Sequence, residues 1–341
     1  MSSPTTCEVK PTDYSKKSVL DFVAKKRWII PLVFVTLYII VFSIVYTDIF
    51  LSPFNITSML LEFSIPAIIV IGMAIQLIGG EIDLSVGYNV MFSSMFSSIL
   101  IVAGVPLVLA ILITLTVTSL FGLIIGLLVS RVGVNSFIGT LGLGLFYYGL
   151  TQFLFSTFYS FKNGAADIRH LPKAFTDLSK LDFLGLQLPV YYAVVLLIVF
   201  AILMAKSRYF RKYYYIGMNN EAAHLSGINV KSMKTMAFVL SSLFASFAGI
   251  LLVARMGSAA ATYGIGWELK VITACVIGGV SMKGGRGAMG GAIIGMLFTT
   301  FLSNGMRIAD VPSNLYKIAE GLVLLGAVVL DARMSRRKTV G

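Results

Sequence analysis

The chain has 341 residues, 57% of them hydrophobic and only 12% charged, with 27 Lys and Arg against 15 Asp and Glu for a net charge of +12 and a mean hydropathy of +0.90. Apolar runs of about 20 residues recur from end to end, which excludes a soluble globular protein and predicts a multi-pass membrane protein built of helices. The positive balance has no soluble basic face to occupy, so it excludes nucleic acid as a partner and points instead to anionic membrane lipid.

A polar tail, residues 1–27, comes first and carries Lys10, Lys16, Lys17, Lys25, Lys26 and Arg27. The apolar segment after it has no small-residue cleavage site ahead of Asp48 and reads as a retained anchor. About ten transmembrane helices are predicted, at roughly 28–47, 56–78, 86–104, 106–129, 134–156, 189–205, 235–254, 267–282, 288–304 and 314–330, because continuous apolar runs lack the alternation of barrel strands. Between the sixth and seventh lies a polar island, 206–234, holding Lys206, Arg208, Arg211, Lys212, Lys231 and Lys234. With the N-terminus inside, the tail, Arg131, the island, Lys283 with Arg286, and Arg333, Arg336, Arg337 and Lys338 all fall on the cytoplasmic side. That bias of basic residues predicts both termini in the cytoplasm, including a short C-terminal tail, 332–341.

Several chemistries have no residues to carry them. The aspartates (Asp13, Asp21, Asp48, Asp83, Asp167, Asp177, Asp182, Asp310 and Asp331) fall in predicted loops or at helix ends, where a proton-coupled carrier would need an acid near mid-membrane. Glu62 and Glu320 are the acids expected within helices, and Glu320 follows Lys317 at a spacing that predicts a local ion pair. His170 and His224 lie in loops, so no membrane hydrolase base is available, and Cys7 and Cys275 are too far apart in topology for a disulfide or a metal cluster. No catalytic residue, metal ligand set or cofactor is therefore expected. Gly285, Gly287 and Gly290 satisfy GxGxxG, but no strand precedes them, and the chain has no GxxxxGK[ST] loop, so any ATP, with its Mg, must be bound by another chain. Gly122 with Gly126, Ala245 with Gly249, and Gly291 with Gly295 are small residues four apart, which lets membrane helices approach closely.

Within the island, Asn219 and Asn220 are good N-caps, Glu221 suits the positive end of a helix, Ala222, Ala223 and Leu225 supply a small apolar face, and Ser226 with Gly227 ends it. A two-turn helix of this kind does not persist alone in water, so it must pack on its own membrane domain or on a partner's groove. Two glycine-rich stretches join other helices: Gly79 to Gly87, which includes Gly80, Asp83, Leu84 and Ser85, and Ile277 to Gly287, which includes Gly278, Gly279, Gly284 and Gly285. Their glycines permit either re-entrant or ordinary tight turns, and Asp83 is placed to cap the third helix or to hold a gate.

These three stretches resemble the permease subunits of ribose-type ABC importers, which show GGIDLSVG, GxNxxAAxxSGI and VxGGxSLxGGxG in that order. The second pattern is matched by Gly217, Asn219, Ala222, Ala223, Ser226, Gly227 and Ile228. The first is broken by Glu81, inserted between Gly80 and Ile82 or standing where a glycine is commoner. The resemblance covers about 60–331. It implies an all-α polytopic membrane protein of the type II importer permease fold, in a bacterial inner membrane, with residues 28–331 as the permease domain. It also implies three kinds of partner: a second permease, identical or homologous; cytoplasmic ATPases; and an extracytoplasmic sugar-binding protein. The island helix then becomes the coupling helix seated in the ATPase cleft, and the cargo a monosaccharide or related small sugar. Permeases of the same fold for nucleosides or branched-chain amino acids, and secondary transporters, remain open alternatives. For the substrate path the sequence offers Gln76, Asn135, Tyr147, Tyr263 and Asn304, with Tyr148, Tyr159 and Trp267 nearby, although aromatic side chains also belt both membrane interfaces.

The orientation is open to labelling. Cys7 and the thiol of a His224→Cys variant should be silent to an impermeant thiol reagent in intact cells, and a Lys173→Cys variant should react. Labelling of the first two from outside would invert the bundle.

Overall fold

The structure, a computed structural model, describes residues 29–160, 167–169 and 171–336. The predicted N-terminal tail with Cys7, residues 337–341 of the C-terminal tail and His170 lie outside the described residues. The helices run α1 (Ile29–Val45), α2 (Thr47–Phe50), α3 (Pro53–Ile78), α4 (Val86–Val102), α5 (Leu107–Leu127, prolonged by a π turn, Leu128–Val132) and α6 (Ser136–Phe155, prolonged by a π turn, Ser156–Ser160). After α7 (Lys173–Lys180) comes a hairpin of β1 (Asp182–Phe183) and β2 (Leu186–Gln187). The remainder is α8 (Leu188–Lys206), α9 (Arg208–Met218), α10 (Asn220–Leu225), α11 (Val230–Met256), α12 (Trp267–Ile277), α13 (Met289–Ile308) and α14 (Ser313–Arg336).

Every predicted apolar segment coincides with a helix, and 6 of these helices (α3, α5, α6, α8, α11 and α13) are long and apolar enough to cross a membrane. The eighth segment differs from expectation. Only its first 11 residues, Trp267–Ile277, are helical, reaching about 16 Å at 1.5 Å per residue, roughly half of a 30 Å hydrocarbon core. The glycines from Gly278 onward stop it and turn the chain back into α13. The all-helical expectation also gains one exception, the hairpin at 182–187. Its two-residue turn places Leu184 at φ +50° and Gly185 at φ +80°, the double positive-φ geometry that matches the twist of paired strands.

Two helices form the axis. In α3 and α11, 78% and 72% of the central membrane window is buried, against 28% or less in α5, α6 and α8, so the other helices wrap this pair. The pair crosses at backbone contact: a Cβ added at Gly72 of α3 would lie 2.7 Å from Ser241 Cα of α11. The small-residue pairs read from the sequence sit at further crossings of the same kind. Gly122 and Gly126 of α5 lie on Ser242 and Thr235 of α11, Gly249 of α11 lies on Val90 of α4, and Gly295 of α13 lies on the Ala274 carbonyl of α12. Between helices in lipid, where no water is released by association, this close van der Waals contact is the main attraction available.

At the end of the bundle away from α10, α7 seats Phe175 in the core and donates from Ser179 Oγ to Leu251 O (2.8 Å) of α11. Glu62 of α3 pairs there with Arg307 of α13 and, at 3.8 Å, with Lys270 of α12. The ion pair expected between Lys317 and Glu320 is not formed. Both side chains instead line a cavity of about 380 Å³ with Trp267, Lys270 and Thr299, between α12, α13 and α14.

Gly72→Val should destabilise the bundle by about 3 kcal/mol or more, since the added atoms meet backbone that cannot yield. Gly321→Ala, on the outer surface of α14 with nothing within 4 Å of the added Cβ, should stay within about 0.5 kcal/mol of the parent. Monodisperse protein remaining after a heating series in detergent reads both.

Candidate functional site

The site is built from the short α10 outward. Asn219 is its N-cap, and Oδ1 accepts from Glu221 N (2.9 Å) and Ala222 N (3.0 Å). Glu221 stands at the positive end of the helix, and Ser226 Oγ donates to Ala222 O (2.8 Å). The chain leaves through Gly227 at φ +80°, which lets Ile228 N reach back to Ala223 O (3.1 Å). Both ends of a helix about 9 Å long are thus closed without outside help. Its apolar face is not presented as the sequence suggested. Ala223 is 4% exposed and packs into its own domain, whereas Leu225 is 83% exposed and Met218, just before the helix, 70% exposed. Ala222 is exposed as well and lines a concavity with Tyr215, Met218 and Ser226. The surface open to a partner is therefore Met218, Ala222 and Leu225, because a helix this short must spend one side, that of Ala223, on holding itself down.

Beside α10 the three glycine-bearing stretches converge. Gly217, in the last turn of α9, is pressed so closely that a Cβ there would strike Ile78 O and Gly285 N. A Cβ on Gly284 would lie 2.8 Å from both Gly217 O and Gly80 Cα. Gly285 N donates to Ile78 O (2.8 Å), closing the end of α3 onto the α12–α13 turn. Gly80 and Gly284 also adopt φ +83°, so both conformation and space select glycine at the contact. The α12–α13 turn, from Gly278 and Gly279 through Gly287, is tied in addition to α14, where Asp331 Oδ2 accepts from Met282 N (3.3 Å). Each motif was visible in the sequence. That they touch was not.

The α3–α4 turn is held by side chains. Asp83 Oδ1 accepts from Ser85 N (2.9 Å) and Ser85 Oγ (2.6 Å), and Oδ2 accepts from Ser241 Oγ (2.8 Å) of α11. Burial pushes this carboxyl above the usual carboxylate range, and the Ser85 and Ser241 bonds pull it back down. Both oxygens are engaged and Asp83 is 1% exposed, with the bond from Ser85 N lying just ahead of α4. Asp83 fastens the turn to α11. Leu84 N donates to Thr140 Oγ1 (2.9 Å) of α6, and Gly87 makes room for the Glu268 carboxylate. Glu81 Oε1 pairs with Lys234 Nζ of α11 at 2.5 Å.

The residues expected along a substrate path have different local surroundings. Asn135 is the N-cap of α6, accepting from Phe137 N (3.0 Å). Asn304 accepts from Tyr38 Oη (3.2 Å) and donates to Asn55 Oδ1 (2.7 Å), tying α1, α3 and α13 together. Tyr263 Oη lies 3.2 Å from Ser258 Oγ in the α11–α12 connection. Gln76 and Tyr147 are different: both are fully buried, and neither the Gln76 amide nor the Tyr147 hydroxyl has a hydrogen-bond partner. Tyr147 faces Ser242 of α11, and Asn89 of α4 donates to Ser242 O (3.0 Å) while its own Oδ1 is unpaired. Ser242 Oγ and Ser246 Oγ are unpaired too. Such a concentration of unsatisfied buried groups is unusual in a helix bundle. The serine-rich sequence of α4 (Ser93, Ser94, Ser97 and Ser98, all buried) was the signal for this polar interior.

Gly217→Ala should lower the yield of folded protein, because the methyl group meets two backbone atoms. Gly290→Ala, which meets open space, should keep it. The yield of monodisperse protein in detergent separates these outcomes.

The family described as branched-chain amino acid transport system / permease component matches residues 55–328. The ribose import permease of Bacillus subtilis is 35% identical over 303 residues, covering 89% of this chain and 92% of that protein. The L-arabinose ABC transporter permease of Azospirillum brasilense is 35% identical over 292 residues, 85% of this chain and 84% of that protein. The galactose/methyl galactoside import permease of Escherichia coli K12 is 32% identical, covering 95% of this chain and 98% of that protein. No solved structure matches. The chain belongs to the ABC-importer permease family of that description, on its ribose-type sugar side.

Proposed function

We propose that this chain is the membrane-spanning permease of an ATP-driven importer that takes a monosaccharide, or a closely related small sugar, from an extracytoplasmic binding protein across a bacterial inner membrane. The observation that carries the reading is the junction at Gly80, Gly217 and Gly284, where the three stretches that define the resemblance meet beside α10. Relatives named for ribose, arabinose and galactose support a sugar over a branched-chain amino acid. In this reading the chain crosses the membrane about ten times with both termini in the cytoplasm, α12 and its turn completing one passage only together. Two permeases, identical or homologous, pair, and each receives an ATPase that binds ATP and Mg.

The partner-facing side chains Met218, Ala222 and Leu225 enter a groove of the ATPase. Movement of that groove displaces α10 and the end of α9. Because Gly217 has no free space against the ends of α3 and the α12–α13 turn, the displacement passes to both turns as a rigid push. The α3–α4 turn leads into α4, whose Asn89 meets Ser242 of α11 beside Tyr147 of α6, groups able to exchange hydrogen bonds with sugar hydroxyls.

Leu225→Glu should leave the permease folded but weaken ATPase docking by about tenfold or more, since it buries an unpaired charge at the contact. Co-purification of the ATPase reports this directly. Ala223→Arg should instead lower the thermal stability of the permease itself, and Gly227→Val should unseat α10 by forcing a β-branched residue to φ +80°. Uptake by the intact complex should require ATP and survive collapse of the proton gradient when ATP is maintained. A purified chain that transports on a pH gradient alone would place the protein among secondary transporters.

A further inference from the structure

Glu81, the residue by which the chain departs from the first motif of its family, is not idle. Its carboxylate and the Lys234 ammonium lie 2.5 Å apart with side chains only 11% and 16% exposed. An ion pair so sheltered is screened far less than a surface pair, and loss of either partner strands the other charge. Lys234 has a second contact. With the Asn220 amide oriented so that both of its atoms are satisfied, Oδ1 accepts from Lys234 Nζ (3.2 Å) and Nδ2 donates to Ile216 O (3.1 Å). One ammonium thus joins the first residue of α10 to the α3–α4 turn.

The placement repeats along α11. Ser241, two helical turns beyond Lys234 on the same face, binds Asp83. The turn is pinned to α11 at both Glu81 and Asp83, but only the Glu81 pin is shared with α10 among the described residues. The steric contact at Gly217 and the ionic contact at Lys234 also differ mechanically. Atoms in van der Waals contact transmit compression and separate under tension, whereas a charge-assisted hydrogen bond resists being pulled apart. The glycine junction can push the turns; drawing them back needs an attractive link.

The geometry points to Lys234 and Glu81 as positioning residues that couple α10 to the α3–α4 turn on the return stroke of transport. The inference rests on the reading of α10 as the ATPase-docking helix.

The test uses the intact complex in proteoliposomes with its binding protein, reading ATP hydrolysed per sugar imported alongside the thermal midpoint of the permease. Glu81→Gln and Lys234→Met should each keep the ATPase on purification and raise the ratio by about tenfold, and the double variant should be no worse than either single variant. The exchanged pair Glu81→Lys with Lys234→Glu should recover most of the coupling. A ratio unchanged in both single variants overturns the linkage, as does an additive double variant whose loss follows thermal stability alone. The two readings fail separately. If Leu225→Glu keeps its ATPase and its transport, the docking assignment falls and the linkage with it. If Leu225→Glu releases the ATPase while Glu81→Gln and Lys234→Met remain coupled, only the linkage falls.

Discussion

Contact between backbones, with no side chain interposed, is the interaction on which this bundle rests. In lipid, helices gain nothing by hiding apolar surface from one another, and attraction must come from atoms brought near enough for dispersion and for short polar contacts. Gly72 against Ser241 sets the crossing of α3 and α11, and α4, α5 and α13 are brought in by glycines at the same kind of crossing. The polar end obeys the same rule. Gly217, Gly80 and Gly284 bring three chain segments to one point because none carries a side chain that would hold the others off.

A second economy concerns charge. Asp83 is consumed by Ser85 and Ser241, Glu62 by Arg307 and Lys270, and Glu81 by Lys234. Each pairing ties separate elements together, so these acids, in turns or inside a helix, act as fasteners. Most of the unsatisfied groups are neutral, namely the Gln76 amide, the Tyr147 hydroxyl, Asn89 Oδ1 of α4 and the Ser242 and Ser246 hydroxyls of α11, with Glu268 Oε2 beside Gly87 the exception among the described residues. A neutral polar lining costs less to keep unpaired than a charged one and can trade partners with a neutral polyol.

Much of this was legible in the sequence. Long apolar runs report helices because backbone satisfaction in lipid leaves few alternatives, and the Asn219 cap and Gly227 terminus of α10 are local chemistry written within a few residues. What stayed hidden was set by neighbours distant in sequence. Nothing in Asn219 to Gly227 shows that Ala223 turns inward while Leu225 turns out. Asn304 reads as a lone polar residue until Tyr38 and Asn55 arrive from α1 and α3. Asn135 likewise reads as a lone polar residue until its Oδ1 is seen to cap the helix it begins. The end of α12 at Ile277 was overrun because Val280 and Met282 continue the apolar signal past the glycines that break the helix.

The shortness of α12 has a consequence for biogenesis. A segment enters the bilayer from the insertion machinery when its summed transfer free energy favours lipid, and 11 residues span too little of the hydrocarbon to satisfy that condition alone. The α12 segment therefore has to wait for α13 and be integrated with it as a helical hairpin, with the glycine turn as its tip. A nascent chain halted before α13 has emerged would hold α12 on the aqueous side, so this part of the permease is committed to the membrane late and as a unit.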